Sequence, residues 1–257
     1  MISKTRGILK LNKIFIAALW LLSSASAFGL TNAPEALESD FPATAKLYVL
    51  DTHMCTGTFL NDTTVLTARH CIDLANATGN VRVDSNGQQV LSLNVFYVEA
   101  EDPSLPAQLN YQTDLAIVVF PVGTGTGRGI AGYPVFANEA PFPSDWAFLL
   151  GYGGTDLRGT DAGTLRSGQH QIMFVDDTSF SWVALADEQN VAPGDSGSAG
   201  YIDGKIAGVA TLAGDVFNLG IARIGAFRSL FDDKAKDLFE RAIHCDKGPC
   251  AAEFRPL

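Results

Sequence analysis

Cysteine is scarce in this chain, four residues in 257, and neither a C-x-x-C pair nor an H-E-x-x-H element is present. Without those spacings no metal site is expected. Basic residues are also in short supply: 18 Lys and Arg stand against 28 Asp and Glu, a formal net charge of −10. Such a surface suits neither nucleic acid nor an anionic membrane. Long apolar runs are missing too. The run from Ile14 to Leu22 has nine residues, against roughly 20 needed to span a bilayer. Gly123, Gly125, Gly127 and Gly129 have phosphate-loop spacing, but no Walker-type lysine follows and no amphipathic helix opens behind them. An interdomain linker is the better reading.

What is present begins with a leader. Lys4, Arg6, Lys10 and Lys13 precede the apolar run, and Ser23-Ser24-Ala25-Ser26-Ala27 follows it. This is the charged, apolar, small-residue layout of a secretory signal, with cleavage expected after Ala27. A membrane anchor is the alternative, and the run is short for one. Losing residues 1–27 removes four basic and no acidic side chains, so the exported chain is more acidic still. The expected location is secreted or periplasmic, with no membrane association once the signal is gone. In that setting an even cysteine count points to disulfides rather than free thiols. Cys55 and Cys71 form one local group, Cys245 and Cys250 another. If Cys55 and Cys71 pair, closing their loop contributes about 3 kcal/mol in the chain-entropy model.

Residues 28–43 have no periodicity and read as an extended N-terminal arm. Short β-rich runs follow at Lys46–Leu50, Cys55–Leu60, Thr63–Thr67, Val81–Val83, Val90–Val98 and Leu115–Phe120. Leu91, Leu93, Val95 and Tyr97 alternate with more polar residues, the mark of a half-buried strand. After the glycine- and proline-dotted stretch 122–145, six more runs appear: Trp146–Tyr152, Gln169–Val175, Phe180–Leu185, Ser198–Ile202, Ile206–Leu212 and Leu219–Ile224. Two similar all-β units are implied, spanning 28–121 and 146–229. In the tail 230–257, Phe231, Ala235, Leu238, Phe239 and Ala242 recur at helical spacing. They predict a helix over about 230–243, with Ser229 as N-cap and Asp232 three residues on. Its apolar stripe is expected to pack on the second unit.

Chemistry is suggested by Ala192-Pro193-Gly194-Asp195-Ser196-Gly197-Ser198. A serine flanked by glycines suits a nucleophile on a tight turn whose N–H groups converge on an oxyanion. The same string also occurs as an ordinary surface turn. A base and an orienting carboxylate are needed to decide. Of the four histidines, His53, His70, His170 and His244, only His70 has fixing context, at the end of the strand Val65–Thr67 and beside Cys71. Asp114 opens the apolar strand Leu115–Phe120, where a buried carboxylate would hold an imidazole in one tautomer; a plain strand-edge aspartate is the alternative.

Together these segments resemble the trypsin/chymotrypsin-like serine proteases. Thr67-Ala68-Arg69-His70-Cys71 is similar to that family's histidine box, Asp114-Leu115-Ala116 to its Asp-Ile-Ala element, and Gly194-Asp195-Ser196-Gly197 to its serine box. The order His, Asp, Ser and the separation of 44 positions from His70 to Asp114 also agree. Phe41-Pro42, Gly151-Tyr152-Gly153 and Gly204–Val209 extend the likeness over essentially all of the exported chain.

The resemblance implies two six-stranded antiparallel barrels with a C-terminal helix. It implies a His70–Asp114–Ser196 triad, an oxyanion hole from the N–H groups of Gly194 and Ser196, and a Cys55–Cys71 disulfide. It implies no cofactor; the partners would be a polypeptide substrate and protein inhibitors. The pocket would be formed by Asn190, Thr211, Leu212, Ala213 and Gly220. Asn190 replaces the aspartate that selects Lys and Arg in trypsin, although a register shift would bring in Asp187 or Glu188. A neutral, small-to-medium P1 side chain is therefore expected. Asp195 would receive the amine of a new terminus, which the spacing from Phe41-Pro42 places near Leu30. Ala192 and Pro193 stand where the family often has a disulfide beside the serine, a sparse pattern that looks bacterial. A catalytically silent binding protein on the same scaffold is the competing expectation, and an esterase a weaker third.

Overall fold

The computed structural model describes residues 30–49, 52–73, 81–99, 111–155, 161–185, 188–215 and 222–243. The leader, Asp187, Gly220, Cys245 and Cys250 lie outside the described residues. Two antiparallel sheets make up the body. The first contains β1 (Thr44–Val49), β2 (Thr52–Phe59), β3 (Thr64–Thr67), β4 (Val81–Ser85), β5 (Gln88–Leu91), β6 (Asn94–Tyr97) and β7 (Ala116–Val119), in the order β5-β4-β1-β2-β3-β7-β6. The second contains β8 (Trp146–Gly151), β9 (Arg166–Gln171), β10 (Phe174–Val175), β11 (Ser179–Leu185), β12 (Ala199–Ile202), β13 (Lys205–Asp215) and β14 (Ala222–Ser229), in the order β10-β11-β14-β13-β12-β8-β9.

Seven strand segments per sheet are six strands and a corner. β5 and β6 sit at opposite edges of the first sheet, yet only Ser92 and Leu93 separate them. The Ser92 N–H donates to Val81 O at 2.8 Å on one edge, and the Leu93 N–H to Val119 O at 2.7 Å on the other. Two residues reach at most about 7 Å, so the sheet must roll until its edges meet. The second sheet closes in the same way. There Ile172 N–H donates to Asp145 O at 2.8 Å and Met173 N–H to Ser181 O at 2.9 Å, between β9 and β10. The runs read as single strands at Val90–Val98 and Gln169–Val175 are these bent strands. Bending also corrects the expected burial: at the first corner Ser92 points inward while Leu91 and Leu93 face solvent, and Val95 and Tyr97 stay partly buried against the core.

Stretch 122–145 is tied down rather than slack. A short helix α2 (Thr124–Gly127) follows Gly123, and the Asp62 carboxylate accepts the N–H groups of Gly123 and Thr126 and the Thr126 hydroxyl. Burial would raise the Asp62 carboxyl, but these donors outweigh it and hold it below the usual range. Amides that a phosphate would need are thus already engaged. Arg128 then donates to the carbonyls of Pro42, Asp84 and Thr44 on the first barrel. Phe136 makes a parallel bridge to Ile206 and carries the chain onto the second.

The arm and the tail each pack on the barrel that sequence order would not suggest. From Leu30 onward the arm lies along the second barrel: Leu30 joins its core, Thr31 bridges to Asn190 and Glu35 to Arg166. The C-terminal helix α3 (Asp233–Ile243) instead buries Ala235, Leu238 and Phe239 in the first core, with the Phe239 ring 5.0 Å from Phe136 and Arg241 bonded to Tyr97 O. Periodicity identified the buried face but not the surface that receives it. The N-cap differs as well. Asp232 Oδ1 accepts the Ala235 N–H at 2.8 Å, while Ser229 still belongs to β14.

Candidate active site

Where β3 ends, the five-residue helix α1 (Arg69–Asp73) begins, and His70 is fixed there from three directions. The Cys55–Cys71 disulfide forms as the sequence implied and ties the helix to β2. Arg69 donates to Val98 O at 2.8 Å. On the third side Asp114, 1 % exposed, follows a 3-10 turn (Tyr111–Thr113) and leads into β7. Its Oδ1 accepts the His70 backbone N–H at 2.8 Å and its Oδ2 lies 2.8 Å from His70 Nδ1. An ionised carboxylate only accepts, so Nδ1 carries the proton and Nε2 is left as the basic nitrogen. Burial alone would push this imidazole down. The charge and hydrogen bond of Asp114, with a smaller contribution from Asp73, outweigh it and raise the His70 pKa above its ordinary 6.5.

Thr211 enters the same group. Its hydroxyl donates to Asp114 Oδ2, so Thr211 supports the carboxylate rather than a pocket wall alone. Sequence reasoning missed this.

Ser196 arrives from the second barrel on a turn built by its neighbours. Asp195 N–H donates to Ala192 O at 3.0 Å, with Pro193 and Gly194 between and Gly194 at φ 101°. Proline first and a positive-φ glycine second is the residue order of a type II turn. Ser198 N–H then returns to Asp195 O and Gly197 N–H donates to Ala210 O. None of these bonds uses the N–H of Gly194 or of Ser196. Ser196 itself is half-buried, and its carbonyl accepts Thr56 N–H at 2.9 Å beside Cys71 Sγ at 3.6 Å. The serine turn therefore docks against the residue that follows His70.

Beneath the turn Asp195 is fully buried. It accepts N–H groups from Gly153 at 2.8 Å, Ala192 at 3.1 Å and Leu30. Burial pushes this carboxyl up to about 7, against the Gly153 and Leu30 N–H groups and the charge of Arg166. Arg166 binds Gly153 O at 2.8 Å and Asp161 at 3.1 Å.

Asn190 is fully buried; its Oδ1 accepts Val191 N–H at 2.8 Å, and among the described residues its Nδ2 finds no partner. Leu212 and Ala213 pair with Ala226 and Gly225 along β13 and β14. The Glu188 carboxylate accepts Leu185 N–H at 2.7 Å, so it is engaged in its own turn. His170 lies inside the second barrel, stacked on Trp182 at 4.4 Å, where burial pulls it down to about 4. Cys55, His70 and Cys71 cluster closely enough to resemble metal ligands, but both sulfurs belong to the disulfide.

A family model described as Trypsin matches residues 31–223. The chain belongs to the trypsin family. Two relatives from Corynebacterium glutamicum carry peptidase names, neither stating a substrate. One, Cgl1093 of strain ATCC 13032, is 27 % identical over 221 residues, covering 83 % of this chain and 73 % of its own length. The other, an uncharacterized peptidase of strain R, is 28 % identical over 224 residues with the same coverage. Among solved structures, a single-site mutant of human heparin binding protein aligns with TM-score 0.65 over 85 % of this chain and 98 % of its own, at 14 % identity. That likeness establishes the fold. This trypsin-family protein thus has two closed antiparallel barrels, with the histidine and aspartate carried by the first and the serine turn by the second.

Proposed function

We propose that this protein is a secreted or periplasmic serine endopeptidase acting through His70, Asp114 and Ser196. The observation that carries the reading is the Asp114 carboxylate: buried, it accepts both the backbone and the Nδ1 protons of His70, which aims Nε2 away as a base. In the reaction His70 Nε2 takes the Ser196 hydroxyl proton as the oxygen attacks the scissile carbonyl. The tetrahedral oxyanion is received by the N–H groups of Gly194 and Ser196. His70 then returns the proton to the leaving amine, and water resolves the acyl-enzyme by the same route. Asp114 holds the tautomer and stabilises the imidazolium. Asn190 supplies no charge, so a neutral, small-to-medium P1 side chain fits better than Lys or Arg.

Activation follows from Asp195. Leu30 meets it as an amide N–H; cleavage before Leu30 would offer an ammonium group to the same carboxylate. A buried acid whose pKa is raised from 3.8 to about 7 loses stabilisation as pH rises through that range, unless a cation partners it. N-terminal sequencing of the exported protein is expected to read from Leu30 or within a few residues of it; a start beyond Ala33 overturns this route.

Labelling by a fluorophosphonate probe tests the catalytic reading. The expected result is one adduct, on Ser196, absent from Ser196→Ala. Its rate is expected to rise with pH as His70 deprotonates, with a midpoint above 6.5 because the folded pKa is raised. No adduct on correctly processed protein would indicate a silent binding scaffold. A midpoint at or below 6.5 would mean that Asp114 does not control His70.

A further inference from the structure

We propose that Thr56 is a positioning residue whose side-chain hydroxyl holds the serine turn in the shape that presents its oxyanion donors; this rests on the peptidase reading above. Thr56 lies on β2 of the first barrel and is fully buried. Its backbone N–H donates to Ser196 O at 2.9 Å, a bond that any residue except proline would make there. The hydroxyl adds a second. Thr56 Oγ1 lies 2.7 Å from Gly194 O and 3.1 Å from Tyr152 N. A carbonyl can only accept and an amide N–H can only donate, so the single hydroxyl proton is committed to Gly194 O. Thr67 Oγ1 donates to Thr56 O at 3.0 Å and fixes the strand from behind.

Two consecutive N–H groups at the end of β8 are thereby linked to the turn. Tyr152 N–H reaches Gly194 O through the Thr56 hydroxyl, and Gly153 N–H reaches Asp195 Oδ1 directly at 2.8 Å. The peptide joining Gly194 to Asp195 is itself tethered on both sides, its carbonyl by the Thr56 hydroxyl and its N–H by Ala192 O at 3.0 Å. The two oxyanion donors lie on the peptides to either side: Pro193–Gly194, whose carbonyl accepts Gly154 N–H at 3.0 Å, and Asp195–Ser196, whose carbonyl accepts Ser198 N–H at 2.9 Å. With Gly194 at φ 101°, the tethered peptide between them sets the angle at which those two N–H groups converge. No cysteine lies on the 192–198 turn, so hydrogen bonds must carry this constraint. In a valine variant Gly194 O and Tyr152 N–H would be buried without their partner, and such groups turn to find others. Rotation of this central peptide would then change the angle between the Gly194 and Ser196 donors, so that they no longer converge on one oxyanion.

The test compares Thr56→Val, which keeps the shape, with Thr56→Ser, which keeps the hydroxyl. Misplacing a catalytic group by about 1 Å costs on the order of 100-fold. Thr56→Val is therefore expected to lower kcat by roughly 10- to 100-fold with KM nearly unchanged. A peptidyl aldehyde, whose adduct on Ser196 places an oxygen in the same hole, is expected to bind weaker by a similar factor. Thr56→Ser is expected to stay within about 3-fold on both measures. Equal losses in the two variants, or wild-type kcat and aldehyde affinity in Thr56→Val, overturn the proposal. If Thr56→Val does not fold, Thr56→Ala replaces it in the comparison with Thr56→Ser.

A readout independent of turnover separates this proposal from the reading beneath it. Backbone amide resonances of Gly194 and Asp195 are expected to move in Thr56→Val and to stay in place in Thr56→Ser. If wild-type protein takes no fluorophosphonate label, the peptidase reading fails while these resonances still report on Thr56. If they do not move in Thr56→Val, the positioning role fails even in an active enzyme.

Discussion

Ser196→Ala, His70→Ala and the double variant are each expected to lower kcat by about the same factor, on the order of 10⁶. The arrangement makes them one device. Without His70 the Ser196 hydroxyl keeps its proton and is a poor nucleophile; without Ser196 the imidazole has no proton to take. Removing the second partner therefore removes nothing further. The turn survives all three changes because its bonds run through backbone atoms of Asp195, Gly197 and Ser198. About 10³-fold catalysis over water is expected to remain from substrate binding and the oxyanion donors. Steady-state kinetics on a chromogenic peptide amide decides the matter. A double variant whose loss equals the product of the single losses would mean that Ser196 and His70 act independently.

Gly197→Ala is expected to destabilise the fold by about 3–5 kcal/mol and abolish labelling of Ser196. A methyl group at this position would lie 2.1 Å from Thr67 Oγ1, 2.3 Å from Thr56 O and 2.9 Å from Ala68 N. Two of those three are backbone atoms that cannot swing aside, and Thr67 Oγ1 is bonded to Thr56 O. The left-handed φ of 87° adds strain. Gly204→Ala separates the two contributions. Gly204 has a similar φ of 75° but nothing within 4 Å of the added atom, so backbone strain of about 1 kcal/mol is all it should show. Urea denaturation of both variants measures the difference, and equal losses would remove the steric explanation.

Three site segments were legible in the sequence because each is local: a histidine next to a cysteine at a strand end, an aspartate heading an apolar run, a serine between glycines. The apolar face of the C-terminal helix was legible for the same reason. What escaped depends on encounters between distant segments. Nothing at Ser92-Leu93 signals a turn, since neither residue needs unusual backbone angles; the bend exists because β4 and β7 both claim its amides. Helix α3 went to the first barrel because Phe136 and the β6–β7 face receive it there, and no pattern within 230–243 encodes that choice. Thr56 reads as an ordinary strand threonine, and Thr211 only as part of a pocket, until the opposite barrel supplies Gly194 and Asp114. A buried hydroxyl gains its meaning only from its partners.

The corners at Ser92-Leu93 and Ile172-Met173 bear on solubility. A sheet with open edges offers unpaired amides to any passing strand, a hazard for a β-rich chain. Here the end strands are short, four residues in β5 and in β6 and two in β10, and each corner ties one end of the sheet to the other, so the described residues present no long flat edge there. Closure also explains where much of the exposed apolar surface lies. Leu91, Leu93, Met173 and Phe174 are 46 %, 51 %, 50 % and 41 % exposed, all on the outside of a corner, where inward space is already filled by Ser92 and Ile172. The protein accepts some greasy side chains in water in return for edges that are short and sharply bent.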